Sequence, residues 1–281
     1  MFEEMRKRYA DGLAVRSGAL RKAFEEIPRE QFLGPGPWTI AGPAVTTTPD
    51  DNPLHIYRDV SVALDAGRHL YNGAPSVVAA WIEALELREG DRVFHVGGAT
   101  GYYTALMAHV VGTRGRVLMA EVDPALGARA RDALADLDNV EVVLGDGAAI
   151  DPGPCDAILI HAGITHPAPL WLERLADGGR MVAPLTFGFP NMNLGKGALL
   201  HITRLGPSLA ARFVESAAPV VVYSCVGARE ESLSEGLLQA FTARLAMLSA
   251  VRSVRQDAHA AAETCWFHSE RFCLSTCLPG A

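Results

Sequence analysis

The chain of 281 residues contains no apolar run close to the ~20 residues that a membrane-spanning helix needs. Its N-terminus has no apolar core of the kind found in signal peptides. The formal net charge is −7 and no basic stripe is present, which argues against nucleic-acid binding because phosphate contacts need clustered Lys and Arg. We therefore expect a soluble, cytoplasmic protein with neither a membrane nor a nucleic-acid partner.

Cysteines are few and odd in number, five in all, and free thiols in a reducing compartment explain them. One loose group of Cys and His lies near the C-terminus, but its spacings match no standard zinc pattern and paired C-x-x-C is absent. Its members are His259, Cys265, His268, Cys273 and Cys277. We expect buried thiols there and no metal site. A P-loop is also excluded, since no G-x-x-x-x-G-K-[ST] occurs.

The hydrophobic pattern predicts an α/β fold. Nearly half the residues are apolar, enough to bury a sizeable core. From Pro75 to Leu185, short apolar strands alternate with amphipathic helices, which indicates a mostly parallel, Rossmann-like sheet with helices on both faces. Residues 198–204 and 211–223 are expected to add an antiparallel edge. Thr186 to Gly197 is expected to form a loop at the carboxyl end of the fifth strand, where ligands bind in such sheets.

Three parts are predicted along the chain. Residues 1–74 form a helical and loop segment, residues 75–223 form the Rossmann-like domain, and residues 224–281 form an extension. In the extension, Ser232-x-x-Glu235 has the form of a capping box before an amphipathic helix over 232–251. That helix can pack on its own core or on a second subunit, so a homodimer stays open. A strand is expected within Thr264 to Cys277.

Three successive strand ends carry residues suited to a nucleotide-like ligand. The first is the glycine-rich turn Gly97-Gly98-Ala99-Thr100-Gly101, where the backbone can approach a ligand before a helix begins. The second is Glu121, 24 positions after Gly97, placed to accept hydrogen bonds from ribose hydroxyls. The third is Asp146 of Gly145-Asp146-Gly147, placed to accept a bond from an adenine amino group. Each of these three features alone is weak evidence for a ligand, and their agreement at successive strand ends predicts a binding site for a nucleotide-like molecule.

These residues, in this order, resemble the class I methyltransferases and, more closely, the protein-L-isoaspartate O-methyltransferases. The resemblance covers about residues 19–222. It is carried by residues 23–32 (A-F-E-E-I-P-R-E-Q-F), Tyr57-Arg58-Asp59, residues 101–105 (G-Y-Y-T-A), the Gly-Asp-Gly turn at 145–147, residues 155–158 (C-D-A-I) and residues 175–184 (L-A-D-G-G-R-M-V-A-P). The resemblance implies S-adenosylmethionine as cofactor. The Gly-x-x-x-Gly turn and the Asp146 strand end favour it over the dinucleotide of a dehydrogenase.

The cofactor site that follows from these patterns and from the resemblance consists of His95, Gly97, Gly98, Ala99, Thr100, Gly101, Tyr102, Glu121, Val122, Asp146, Gly147 and His161. Two positions depart from the family. The family has an acidic residue where this chain has His95, and G-x-G-x-G where this chain has Ala99 in place of the middle glycine. His95 lies on a strand, where it faces the core or the cofactor.

The largest departure concerns the substrate. The segment that cradles the isoaspartyl group in the family, G-Q-T-I-S-x-P, corresponds here to residues 67–75, G-R-H-L-Y-N-G-A-P. The Thr and Ser of the family are replaced by Tyr71 and Gly73. We predict His69, Tyr71 and Asn72 as the catalytic residues. His69 is expected to make a polar contact, with a catalytic base and a plain loop histidine as its alternatives, and Tyr71 and Asn72 are expected to shape the substrate pocket. His161 and His166 also lie near the predicted crevice.

Three functions remain open. The first is a carboxyl O-methyltransferase acting on a peptide or protein, with the extension providing recognition. The second is a small-molecule methyltransferase of a biosynthetic pathway. The third is a protein that binds S-adenosylmethionine without turning it over, which Ala99 and the altered substrate segment would allow.

Overall fold

A computed structural model describes residues 2–42, 44–188, 195–214, 220–222 and 225–279. The chain divides into two compact units. Unit 1 comprises Met1–Val93 and Gly98–Gly145, and unit 2 comprises Phe94–Gly97 and Asp146–Ala281. These boundaries differ from the three parts predicted from the sequence, because the strand before the glycine-rich turn is shared between the units.

Unit 1 begins with helices and a small antiparallel sheet. Its first elements are α1 (Phe2–Gly12), α2 (Gly18–Glu26), α3 (Glu30–Leu33), β1 (Thr39–Ala41), β2 (Thr46–Thr47), a 3-10 helix (Pro53–His55), β3 (Ser61–Asp65), β4 (Leu70–Tyr71) and α4 (Pro75–Ala84). The small sheet has the order β2-β1-β3-β4. The Ser17 hydroxyl caps α2 by accepting a hydrogen bond from the Leu20 amide. Pro75 is the first residue of α4, where a backbone N–H would have no partner within the helix, so its absence in proline costs nothing.

The Rossmann-like part follows. It contains β5 (Arg92–Val96), α5 (Tyr102–Val111), β6 (Arg116–Glu121), α6 (Pro124–Ala133) and β7 (Val140–Leu144). Strands β6 and β7 pair in parallel. As the sequence predicts, Asp123 caps α6, its Oδ1 accepting hydrogen bonds of 2.9 Å from the amides of Ala125 and Leu126, and Pro124 stands first in the helix.

Unit 2 is built on a mixed sheet. Its elements are β8 (Cys155–Ile160), α7 (Pro169–Arg174), β9 (Leu175–Gly188), β10 (Gly195–Leu205), β11 (Ser208–Phe213), β12 (Val220–Val222), a 3-10 helix (Val226–Ala228), α8 (Glu231–Ala243), a 3-10 helix (Leu245–Ala250), β13 (Ser253–Arg255), β14 (Cys265–His268) and β15 (Cys273–Ser275). Within this unit the order is β14-β15-β13-β11-β10-β9-β8-β5, and β12 pairs with β10. Strands β8 and β9 are parallel, whereas the pairs from β9 to β14 are antiparallel.

The α/β class is confirmed, but the antiparallel part is larger than predicted. The pair β10–β11 does not form the edge, because β13 of the extension pairs with β11 and β15 and β14 follow. The predicted loop Thr186 to Gly197 is wrong at both ends, since β9 continues to Gly188 and β10 begins at Gly195. Residues 189–194 of that prediction lie outside the described residues.

The extension also differs in detail from its prediction. Helix α8 ends at Ala243, and a 3-10 helix replaces the expected continuation to residue 251. The predicted capping box is wrong, because Ser232 lies inside α8 and its hydroxyl donates to the Glu230 carboxylate. Two strands, β14 and β15, occupy the stretch where one strand was expected. Among the described residues, no helix is long and apolar enough to cross a membrane.

Candidate functional site

The glycine-rich turn after β5 adopts left-handed backbone angles at alternate residues. The φ angles are +76° at Gly97, +53° at Ala99 and +93° at Gly101. A left-handed conformation costs a residue with a Cβ roughly 1–2 kcal/mol, so Ala99 is strained where its two glycine neighbours in this pattern are not. At Gly98 the constraint is different, because a Cβ there would lie 2.7 Å from the buried Met119 side chain and would displace it.

The residues that follow in this turn belong to the core. Thr100 and Tyr102 are buried, and the Tyr102 ring packs against the rings of Phe24 and Phe32. The side chains of these two predicted cofactor residues are therefore part of the core.

Glu121 ends β6 with a buried carboxylate. Its Oε2 accepts a hydrogen bond of 2.7 Å from the Ala99 amide, and its Oε1 accepts one of 2.9 Å from the Asp123 amide. Burial raises the pKa of this carboxyl, and the two amides act in the opposite direction. Each carboxylate oxygen has a second lone pair, so both amides can stay bound while two ligand hydroxyls donate. The neighbouring Val122 is half exposed and has no polar side-chain atom.

The substrate-segment equivalent is tied to this end of β6. The Arg68 guanidinium donates from Nη1 to Asp123 Oδ2 at 2.5 Å and from Nε to Asp65 Oδ2 at 2.8 Å. His69 is exposed and left-handed, with φ of +55°, and Tyr71 is half-buried on β4. At the other end of the segment, the Tyr103 hydroxyl donates to the Gly73 carbonyl. The segment is thus anchored at both ends, with His69 and Tyr71 between the anchors.

The Asn72 side chain is hydrogen-bonded to neighbouring segments of unit 1. It is buried, and its Oδ1 accepts hydrogen bonds from the Val62 amide at 2.9 Å and from Arg29 Nη2 at 3.4 Å. Arg29, fully buried, also donates to the carbonyls of Ile56 and Val60. Sequence reasoning missed this role of Arg29. The Pro28-Arg29-Glu30 motif marks Arg29 in the sequence. The motif does not identify the carbonyl groups to which the guanidinium donates.

In unit 2, two predicted cofactor residues stack on each other. The rings of His95 and His161 lie 5.7 Å apart at 19°. Burial holds the pKa of His95 well below its usual range, with the neighbouring His161 acting in the same direction, and burial lowers the pKa of His161 to about 4. Both imidazoles are therefore neutral near pH 7.

The Gly145-Asp146-Gly147 turn is fixed from two sides. The Trp171 indole donates to the Gly147 carbonyl at 2.8 Å, and a Cβ at Gly147 would lie 2.5 Å from Val96. Asp146 Oδ1 accepts from the Ala148 amide at 3.0 Å. Its Oδ2 faces Gly227, whose missing Cβ would overlap this oxygen. The start of the extension therefore contacts the carboxylate predicted to bind adenine.

The extension also pairs with the loop after β8. The Cys225 amide donates to the Gly163 carbonyl at 2.8 Å, and the Thr165 amide donates to the Ala228 carbonyl at 2.9 Å. The Glu230 amide completes the set by donating to the Thr165 hydroxyl. His166, next in the loop, is buried and its Nδ1 lies 3.1 Å from the Thr165 hydroxyl. Sequence reasoning did not predict these contacts, because nothing in the local pattern of residues 225–230 indicates their partners.

A family model described as protein-L-isoaspartate(D-aspartate) O-methyltransferase matches residues 3–193. This chain belongs to the protein-L-isoaspartate O-methyltransferase family. A family relative from Archaeoglobus fulgidus, protein-L-isoaspartate O-methyltransferase 2, is 35% identical over 192 residues, covering 66% of this chain and 80% of the relative. The relative from Ignicoccus hospitalis is 34% identical over 187 residues, covering 65% and 80%.

Solved structures support the family's fold. A protein-L-isoaspartate O-methyltransferase structure covers 86% of this chain and 70% of its own, with a TM-score of 0.64 and 24% identity. A second, a protein from Plasmodium falciparum described as a putative member and solved with S-adenosyl-L-homocysteine, covers 78% of this chain and 97% of its own, with a TM-score of 0.61 and 16% identity. Members of this family are S-adenosylmethionine-dependent methyltransferases, and the chain is an enzyme of that class.

Each unit, taken by itself, contains a side chain suited to one part of S-adenosylmethionine. In unit 1, Glu121 offers free lone pairs beside a left-handed turn, which suits ribose hydroxyls. In unit 2, Asp146 stands on a turn held by Trp171, which suits an adenine amino group. Residues 194–281 lie beyond the family match.

Proposed function

We propose that the chain methylates a carboxylate of a particular peptide or protein, with a narrower acceptor range than a general isoaspartyl repair enzyme. Family membership supports carboxyl methylation. The observation that carries the narrower range is the substrate segment at 67–75, where Tyr71 and Gly73 stand in place of the Thr and Ser of the family.

S-adenosylmethionine would be held through its ribose by Glu121, and it would supply an electrophilic methyl group on a sulfonium, with the thioether as the leaving group. The chain's own task is to hold the acceptor in line, so catalysis rests on proximity and orientation. A carboxylate is ionised at neutral pH and needs no general base. We accordingly assign His69 and Tyr71 to binding the acceptor, Asn72 to positioning the segment, and Glu121 and Asp146 to the ribose and adenine.

The acceptor class is tested by incubating the purified protein with S-adenosylmethionine and a panel of isoaspartyl, aspartyl and glutamyl peptides, with metabolite carboxylates alongside. The proposal expects a peptide to gain one methyl group that alkali removes, since esters are base-labile. Turnover of metabolites with no peptide product would favour the small-molecule alternative. Cofactor binding without any product would favour the non-catalytic alternative.

The role of the substrate segment is tested with Tyr71→Ala and the matched control Tyr71→Phe. Tyr71→Ala should raise KM for the acceptor about tenfold, the loss of one well-placed contact, and should leave the Kd of S-adenosylhomocysteine unchanged. If the hydroxyl carries the contact, Tyr71→Phe shares the loss; if the ring carries it, Tyr71→Phe keeps wild-type KM. An unchanged KM in both variants would remove Tyr71 from the acceptor site.

A further inference from the structure

Two Cys and two His side chains of the extension lie close together in the structure, although their spacing along the chain matches no standard metal motif. Cys265 and His268 lie on β14, Cys273 lies on β15, and His259 lies in the loop before β14. His268 and Cys273 are direct partners in the antiparallel register. Each of the four residues offers one ligand atom, and these atoms all lie within 4.8 Å of one another. Cys277, included in the sequence-level group, is not part of this cluster.

The two imidazoles are oriented as metal ligands are. His259 Nδ1 lies 2.8 Å from the Asp257 carbonyl, so a proton on Nδ1 is donated there and the lone pair of Nε2 is left free. That Nε2 lies 3.7 Å from the Cys265 sulfur. His268 Nδ1 is buried, and no hydrogen-bond partner for it is found among the described residues. The two rings meet edge to face with centroids 4.7 Å apart.

We propose that His259, Cys265, His268 and Cys273 bind one zinc ion. Zn–S bonds of ~2.3 Å and Zn–N bonds of ~2.0 Å in a tetrahedron give ligand–ligand separations of roughly 3.3–3.8 Å, which side-chain adjustment reaches from the observed cluster. Two sulfur and two nitrogen ligands in a tetrahedral set favour zinc over metals that prefer oxygen or planar coordination. Binding releases the two thiol protons, and the two thiolates neutralise the dication, so no net charge is buried at Cys265 and Cys273.

The ion would be structural, because four protein ligands leave no open position for water or substrate. It would join β14, β15 and the loop at His259 into one unit. β14 in turn holds α8: Arg244 donates to the carbonyls of Cys265 and Trp266, and the Trp266 indole donates back to the Arg244 carbonyl. The zinc ion therefore stabilises the extension and takes no part in methyl transfer. Its binding does not depend on the acceptor proposed above.

The spacing explains why the sequence did not reveal the site. The order is H-x5-C-x2-H-x4-C, whereas common zinc motifs place two ligands close together at each end of a longer loop. Here the strand pairing of β14 with β15 supplies the closeness that a C-x-x-C turn supplies elsewhere.

The first test is the metal content of the full-length wild-type protein, purified without chelators, by mass spectrometry. We expect about one zinc per chain, retained in Cys277→Ser and lost in Cys265→Ser and Cys273→Ser. Equal zinc in wild type and Cys273→Ser would overturn the proposal, as would a wild-type chain that takes up no zinc on reconstitution.

Two wild-type measurements do not depend on how the variants fold. Cobalt-substituted protein should show thiolate-to-metal charge transfer and the intense visible bands of a tetrahedral site, whereas weak octahedral bands would contradict it. Thiol titration of denatured, chelator-treated, unreduced protein should find all five cysteines free. Two fewer thiols would indicate a disulfide between Cys265 and Cys273 in place of the metal.

Discussion

Gly227 packs directly against the carboxylate of Asp146. A Cβ on Gly227 would overlap Asp146 Oδ2 and would lie 2.7 Å from the Ala148 methyl group. The extension and the turn predicted to bind adenine thus share one contact surface inside unit 2. If Asp146 binds the cofactor, a change at residue 227 must reach the cofactor as well.

Gly227→Ala should therefore weaken the binding of S-adenosylhomocysteine and destabilise the fold by ~1–3 kcal/mol, the usual cost of overpacking. Calorimetric titration and denaturant unfolding measure the two effects. Val226→Ala is the matched control, because Val226 is 65% exposed and its truncation should change neither quantity by more than ~0.5 kcal/mol. A stability loss without any change in affinity would separate the extension from the cofactor site.

Ala99→Gly should stabilise the protein. Removing the Cβ relieves the left-handed strain at φ of +53°, and the greater freedom of glycine in the unfolded chain offsets part of the gain, which leaves about 0.5–1 kcal/mol. Ala128→Gly, on an exposed position of helix α6, is the control and should destabilise by ~0.5–1 kcal/mol. Urea unfolding of the three proteins decides the matter. Equal losses in both variants would show that position 99 carries no strain.

Acid should destabilise the wild-type protein through the stacked histidines. His161 has a pKa of about 4 in the folded protein and an ordinary value of 6.5, and the pKa of His95 is lowered in the same direction. Between these values the unfolded chain binds more protons, so the free energy of unfolding falls as pH falls. From pH 6.5 to 5.5 the loss is about 1 kcal/mol for His161, and His95 contributes in the same direction.

His95→Phe should make that slope shallower, because the variant has no imidazole at position 95 to protonate on unfolding. Thermal or denaturant unfolding between pH 7.5 and 5.5 gives the comparison. A wild-type stability that is flat across this range would contradict neutral, buried imidazoles.

The sequence predicts well where periodicity and capping decide the structure. The spacing of apolar residues predicts a helix over Tyr102 to Val111, a strand over Val140 to Leu144 and a short helix over Pro167 to Leu175. Helix α5 and strand β7 have the predicted bounds, and Asp123 with Pro124 opens α6. The sequence predicts poorly the bounds of strands that depend on pairing with segments distant in the chain. The strand β9 reaches Gly188 because β10 pairs with it that far, and Leu175 joins β9 through its pairing with Cys155 rather than ending α7. Neither partner is visible in the local pattern.

The candidate site shows the same division. Glu121 and the glycine-rich turn follow from spacing alone, because strand ends and turns have local signals. The hold of Arg68 on Asp123 and the burial of Asn72 beneath Arg29 depend on residues 43 to 55 positions apart in sequence. Those contacts fix the Arg68 and Asn72 side chains, and only the tertiary structure reveals them.

Glu121 is proposed to bind the ribose of the cofactor, and calorimetric titration with S-adenosylhomocysteine measures its contribution. Glu121→Gln is compared with wild type and with Glu141→Gln, an exposed carboxylate paired with Arg116 on the neighbouring strand. We predict micromolar binding by wild type and Glu141→Gln, and a loss of ~1–3 kcal/mol of binding free energy for Glu121→Gln. Equal affinity in all three proteins would contradict the assignment.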